Sequence, residues 1–341
     1  MKKNKMMRLA SILLVCVLLT TSVISGTFAK YVTTDSASDT ARVAKWGVVA
    51  SINGNLFGAT YDQSEEIISH NSIAASVSSS NANELVVAPG TNNDDALTLS
   101  VSGNPEVSTK VTYDAAEDTS GKNYANCEIS LAAGTYGVMV PYVGDKTTET
   151  NDTYYIYENN KYTLAQDTDL DKEWYELHDV VTVADGGYRP LVWSWSTNVD
   201  GTASGETSGT FAEMQTAIAD TFPATMGFAP NSFVNTSITI GWKWDFGDEW
   251  ADQAGDDDEI IRNEDKYDTI LGNMMAYFGD DTAVNKVIAK AANGDYVNVS
   301  YNTVEVDANS ANEKKIVLVD GTEIACLTVA FNARLTVEQV D

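Results

Sequence analysis

"KKIVLVDGTEIACLTVAFNARLTVEQV", residues 314–340, decides the fold class. Asp320-Gly321 sits between two alternating apolar segments, the signal of a β-hairpin with a type I′ turn. In the arm after the turn, Leu327, Val329, Phe331, Ala333, Leu335 and Val337 keep strict alternation. A period of two puts all six on one face of extended chain. A strand of that length must lie centrally or cross from one sheet to another.

The same alternation recurs upstream. In "NTSITIGWKWDF" (235–246), Ile238, Ile240, Trp242, Trp244 and Phe246 share a face. "ALTLSVSGNPEVSTKVTYDA" (96–115) gives two strands split by Gly103-Asn104-Pro105, and Val107, Thr109, Val111 and Tyr113 line one side of the second. "RVAKWGVVASI" (42–52) places Ala44, Trp46, Val48, Ala50 and Ile52 together, which predicts a half-buried strand. "ELVVAPG" (84–90) is a short strand stopped by Pro-Gly, and the Ser/Asn-rich stretch 62–83 is a loop.

Helices are few. "TFAEMQTAIADTF" (210–222) carries Phe211, Met214, Ile218 and Phe222 on one stripe, with Pro223 as the stop. "EDKYDTILGNMMAYFG" (264–279) carries Tyr267, Ile270, Leu271, Met274, Met275 and Phe278, and a further short helix is expected at 282–291. Between about 116 and 230, strand-like pieces alternate with Gly, Asp and Asn turns, an elaboration on the sheet framework. The sum is a mainly β chain: an antiparallel, jelly-roll-like β-sandwich with helices in the connections.

The N-terminus follows different rules. Lys2, Lys3, Lys5 and Arg8 precede an apolar run from about Leu9 to Ile24, and Thr27-Phe28-Ala29 has the small residue that signal cleavage requires. Residues 1–29 read as a signal peptide cut between Ala29 and Lys30. Cys16 lies inside the apolar run, which excludes a lipoprotein site. Residues 30–41 are polar and poor in apolar side chains, a flexible leader to the domain at 42–341. Losing the four basic residues would take the net charge from −28 to −32. So acidic a chain has no electrostatic affinity for nucleic acid or anionic membrane.

Catalytic motifs are missing. The two histidines, His70 and His178, form no HExxH pair, and neither a GxSxG elbow nor a phosphate-binding Gly loop occurs. His178 beside Asp179 reads as a surface pair. Hard-metal ligation has two candidates. Asp167, Asp169 and Asp171 alternate in "QDTDLDKEWYE", a spacing that can wrap Ca²⁺. It is not an EF-hand, because Lys172 and His178 stand where Gly and Glu are needed. Asp256, Asp257 and Asp258 lie in 248–265, a run with nine carboxylates and one arginine that also reads as a solvated acidic loop. No cofactor is otherwise called for.

Two features stay open. Cys127 and Cys326 are either a disulfide or two buried thiols. Trp193/Trp195 and Trp242/Trp244 are pairs at i and i+2. Exposed, such a pair is a sugar-stacking platform; buried, it is core. The Ile stripe continuing into Trp242 and Trp244 points to core there.

"GTFAKYVTTDSASDTARVAKWGV" (26–48) resembles the signal-peptide end and mature start of TasA/camelysin-like proteins of Gram-positive bacteria, processed by a SipW-type signal peptidase. "LVVAPGTNNDDALTLSVSGNPEVSTKVTYDA", "NTSITIGWKWDF" with "DKYDTILGN", and "FNARLTVEQVD" resemble further segments of that family. The likeness covers roughly the first 90 residues after the leader cut and the last 110; residues 116–230 show none. The resemblance implies a jelly-roll sandwich, secretion, and a structural subunit of biofilm-matrix fibres. It implies self-assembly head to tail, with Tyr31, Val32, Thr33 and Thr34 as a donor strand paired to a neighbour's open edge. Such a contact does not close and makes filaments. Camelysin-type relatives are described as metalloproteases, but this chain has no zinc motif to match. An adhesin-like glycan- or protein-binding module, with Ca²⁺ as stabiliser, and a hydrolase built on the acidic clusters are the other classes.

Overall fold

A computed structural model describes residues 42–62, 76–80, 84–114, 126–147, 149, 153–245, 258–278, 280, 283–305 and 312–340. From Lys45 onward the chain forms one compact unit; residues up to Ala44 form another, of which only 42–44 are described.

The chain runs β1 (Val48–Gly54), β2 (Thr60–Asp62), β3 (Ser76–Ser78), β4 (Asn92–Gly103), β5 (Thr109–Asp114), β6 (Ser130–Leu131) and β7 (Gly134–Pro141). It continues with β8 (Tyr154–Glu158), β9 (Lys161–Leu164), β10 (Tyr175–Val183), β11 (Leu191–Val199), β12 (Thr202–Ala203) and β13 (Thr207–Gly209). After α1 (Phe211–Thr221) come β14 (Gly227–Phe228), β15 (Thr236–Trp244) and α2 (Asp258–Ala276). The last strands are β16 (Lys286–Lys290), β17 (Tyr296–Asn298), β18 (Ser300–Glu305), β19 (Asn312–Val317), β20 (Glu323–Cys326) and β21 (Arg334–Gln339).

The protein is mainly β and antiparallel. The main sheet has the order β1-β4-β15-β11-β12, with β13 also on β11. A three-stranded sheet β14-β5-β21, a four-stranded sheet β18-β19-β20-β6 and the pair β2-β3 accompany it. A closed barrel, β10-β7-β16-β17-β9-β8, was not anticipated. One apolar core draws on all the larger sheets, including Leu99, Ile238 and Ile240 of the main sheet, Val111 of β5 and Ile316 of β19.

The long alternating C-terminal arm crosses between sheets. β20 belongs to the four-stranded sheet and β21 to the three-stranded one. The turn before it is not type I′, since only Gly321 has positive φ, at 86°. Gly321 N–H donates to Leu318 O at 2.8 Å and Leu318 N–H to Thr322 O at 2.9 Å. That is a three-residue loop with glycine in the left-handed position. A two-residue type I′ turn does occur at Asn159-Asn160 (φ 51° and 64°), where Glu158 pairs with Lys161.

The helix expected at 282–291 is strand β16. Val287 and Ala289 face the main core while Ile288 faces the barrel interior with Met139 and Tyr162. A strand buried on both sides shows a continuous apolar run, which periodicity does not separate from a helix. α1 forms as expected. Thr210 caps it, accepting from Glu213 N–H while Glu213 accepts from Thr210 N–H, a capping box, and its stripe of Phe211, Met214 and Ile218 is buried. In α2, Ile270, Leu271 and Met274 are buried, but Met275 is 42% exposed, off the packed stripe.

Residues 116–230 divide in two. β7 to β10 supply four of the six barrel strands, whereas β11 lies inside the main sheet, paired along its whole length with β15.

β1 departs from its expected burial. It is the edge strand of the main sheet, and along it only Val48 and Ser51 are partly covered. Val49 is 58% exposed and Ile52 39%, so both faces meet solvent where a half-buried strand was expected. Among the described residues no strand pairs along its outer side. Glycines set its ends. Gly54 has φ 109°, and a Cβ there would sit 2.0 Å from Ala96 O. Gly54→Ala is therefore expected to push β1 off β4 and lower stability by about 3 kcal/mol. Urea denaturation measures the loss, and hydrogen exchange should place it in the β1 amides; unchanged β1 protection would contradict it.

Candidate functional site

The open edge of β1 is the site best prepared to meet another chain. On one side β1 is zipped to β4 from Val48↔Gly103 to Gly54↔Leu97. Its other side has no strand partner among the described residues. β21, the edge of the three-stranded sheet, comes within 8 Å of β1 (Cα to Cα) without a ladder between them. Two sheet edges thus run close together with main-chain groups to offer. The run-in is held: Lys45 N–H donates to Glu106 Oε2 at 3.0 Å, and Glu106 N–H to Lys45 O at 2.8 Å. Trp46, 39% exposed, adds an apolar ring beside the strand. An exposed edge with accessible Val, Ile and Trp is a template for an added strand.

The acidic loop 167–171 does not form a cation cradle. Asp169 Oδ1 pairs with Lys172 Nζ at 2.7 Å, and Asp169 Oδ2 accepts Gln166 N–H at 2.9 Å. Lys172 also reaches Glu158 at 2.9 Å, and Trp174 Nε1 donates to Asp169 O at 2.9 Å. The hydrogen bond from Lys172 holds the Asp169 carboxyl below the usual carboxylate range. The carboxylates of Asp167, Asp169 and Asp171 do not converge on one point. The lysine three residues on closes the turn that a cation would otherwise hold, which alternation of Asp alone does not reveal. Asp256 and Asp257 lie outside the described residues, and Asp258 opens α2. Ala29, Lys30, the donor residues Tyr31, Val32, Thr33 and Thr34, and Phe246 also lie outside the described residues.

Neither Trp pair is a platform. Trp242 is buried, with Nε1 donating to Leu56 O at 2.7 Å, and Trp244 Nε1 donates to Asp268 Oδ2 at 3.1 Å. Trp193 is 0% exposed and packs on Phe211 at 4.9 Å between centroids. Trp195 is partly buried against the same core. α1 covers this face of β11, a layer that the strand pattern of 191–196 does not announce. His178 is exposed on β10, with Nε2 3.0 Å from Glu176 Oε2 rather than paired with Asp179.

A buried polar cluster was missed. Asp268 of α2 accepts from Tyr188 OH at 2.8 Å and from Trp244 Nε1. Burial outweighs these donors and pushes its carboxyl up to about 6, with Asp265 and Glu264 adding to the shift. Its place on the helix is the signal: Asp268 lies three residues before Leu271, on the packed stripe. The cluster ties α2 to β15 and to the segment before β11. A polar cleft of about 400 Å³ lies beside the end of α2, lined by Tyr277, Asp280, Asn285, Lys286, Asn298 and Tyr301. Among the described residues no helix is long and apolar enough to cross a membrane.

No family model, curated protein or solved structure matches the chain.

Proposed function

We propose that the protein is an exported structural subunit of extracellular, biofilm-matrix-type fibres, of the TasA/camelysin-like class. Subunits join head to tail. The segment 30–41, led by Tyr31-Val32-Thr33-Thr34, leaves its own chain and adds as a strand to the open edge of the next. The leader 1–29 directs export and is removed by a SipW-type signal peptidase.

The observation that carries this reading is β1. An edge strand exposed on both faces, with solvent-facing Val49 and Ile52, stands directly after the polar segment in sequence. An unpaired edge of that kind invites aggregation unless a partner covers it. Main-chain bonds supply the attraction, so a polar but β-compatible strip suffices as donor. The contact is heterologous and open-ended, which suits a fibre. A glycan-binding module draws no support from the Trp pairs, with Trp193, Trp242 and Trp244 buried and Trp195 packed partly buried against the core.

Negative-stain electron microscopy of residues 30–341 beside residues 42–341 tests the proposal. Filaments from the longer chain and at least a tenfold loss from the shorter are expected. Equal filament formation by both would remove the donor strand, and monomers from both would remove the fibre.

A further inference from the structure

Cys127 and Cys326 lie far apart in the chain and side by side in the fold. Cys127 precedes β6 and is bonded through its backbone to the crossing segment: its N–H donates to Ala330 O at 3.1 Å and Ala330 N–H returns to Cys127 O at 2.9 Å. Cys326 ends β20, opposite Ser130 of β6. The two Sγ atoms and a carboxylate oxygen of Glu313 all lie within 4.8 Å of one another. Both thiols direct S–H at one acceptor, Thr328 O, at 3.6 Å from Cys127 and 3.3 Å from Cys326. Cys326 Sγ is also 3.6 Å from Glu313 Oε1.

We propose that Cys127 and Cys326 are a disulfide-forming pair, a covalent staple between the β6 run-in and the C-terminal crossover. Hydrogen bonds already fix both backbones on either side of the sulfurs, so side-chain rotation is the movement left to make. The ring closed from residue 127 to 326 contains the whole barrel, both helices and strands β11 and β15. A cross-link over so long a loop removes much of the freedom of the unfolded chain.

The surroundings favour the neutral oxidised pair over a soft cation. Ligation would need two thiolates, whereas the neighbouring Cys127 sulfur and burial push the Cys326 thiol far up. The nearby carboxylate is already neutralised, with Lys315 Nζ 3.0 Å from Glu313 Oε1 and 2.8 Å from Glu323. A disulfide buries no charge.

The reaction is thiol–disulfide exchange with a small-molecule or protein disulfide as oxidant. Cys127, half-buried where Cys326 is 3% exposed, is the more accessible residue and the one that meets the oxidant first. Its thiolate attacks one sulfur of the oxidant, and the other sulfur leaves as a thiolate. Cys326 then attacks Cys127 Sγ and expels the second thiolate. Two electrons reduce the oxidant's S–S bond, and the two cysteine protons end on its two thiols. The pair needs only an oxidant of this class, so the test stands apart from the fibre reading.

The full chain carrying Cys16→Ser is equilibrated in glutathione buffers from reducing to oxidising, acid-quenched, alkylated in denaturant and weighed intact. The expected result is that both thiols vanish together, with a 2 Da loss in a monomeric chain and a peptide joining 127 to 326. The melting temperature should rise by about 5 °C or more over the reduced form. Cys127→Ser and Cys326→Ser should each abolish the cross-link; Cys326→Ser leaves Cys127 to take a single glutathione, whereas Cys127→Ser leaves the buried Cys326 unmodified in the folded chain. Two thiols still free in the most oxidising buffer would overturn the proposal. So would two glutathione adducts without a cross-link, or one zinc per chain that protects both thiols from alkylation. Because the mass readout uses the unsubstituted pair, a variant that fails to fold leaves the test intact.

Discussion

Trp242→Ala should leave little folded protein at 37 °C. Trp242 is 1% exposed, in the middle of the main sheet, directly opposite Trp193 of β11. Its ring meets Phe57 at 5.7 Å and Tyr61 edge-on at 5.8 Å. Removing a ring of this size from a closed core costs about 3–5 kcal/mol, a large share of the roughly 5–15 kcal/mol that holds a domain together. The lost N–H bond adds less than a stranded acceptor would, because Leu56 O also accepts from Asn93 Nδ2 at 3.0 Å. Trp242→Phe keeps an aromatic ring and should cost about 1–2 kcal/mol. Urea denaturation of the two variants decides it. Equal losses would mean that the hydrogen bond to Leu56, not the ring, matters at this site.

Asp268→Asn should change the pH dependence of stability. Asp268 has a usual value of 3.8 and is pushed up to about 6 in the folded protein. Between those values the folded state holds a proton that the unfolded state has released. Stability therefore falls as pH rises through this window, and the wild type is relatively stabilised near pH 4. A shift of about two units corresponds to about 3 kcal/mol. Asparagine is neutral throughout. Its Oδ1 can keep the bond from Trp244, and the Tyr188 hydroxyl can turn to accept from Nδ2. The variant should gain about 2–3 kcal/mol on wild type between pH 4 and pH 7, read from urea unfolding at both. The net charge of −28 also penalises the fold as pH rises, but it acts on both proteins and cancels in the difference. A difference that does not move with pH would show that Asp268 is ionised in the folded protein throughout.

Period-two alternation carried most of the fold class. Ile238, Ile240, Trp242 and Trp244 are core because a strand with one apolar face has to bury it. The α1 stripe was equally readable, with Pro223 as its stop, while the Thr210–Glu213 capping box emerged from the structure. Where both faces of an element are buried, pattern loses its force. Residues 286–290 read as helix until the barrel on one side and the core on the other make them a strand. The opposite error occurs at β1. Its alternation is clean, yet sheet order places it at an edge, and most of its residues are exposed on both faces.

By itself, then, the sequence determined the β class and the α1 stripe, and it limited the long C-terminal arm to a central or a sheet-crossing place. Those rest on local spacing and backbone preference. Tertiary structure alone decided the closure of the barrel, the internal pairing of Asp169 with Lys172, the burial of Trp193 under α1 and the meeting of Cys127 with Cys326. Each depends on which segments become neighbours across long stretches of chain, and that choice is made by the packing of the whole core rather than by any one segment.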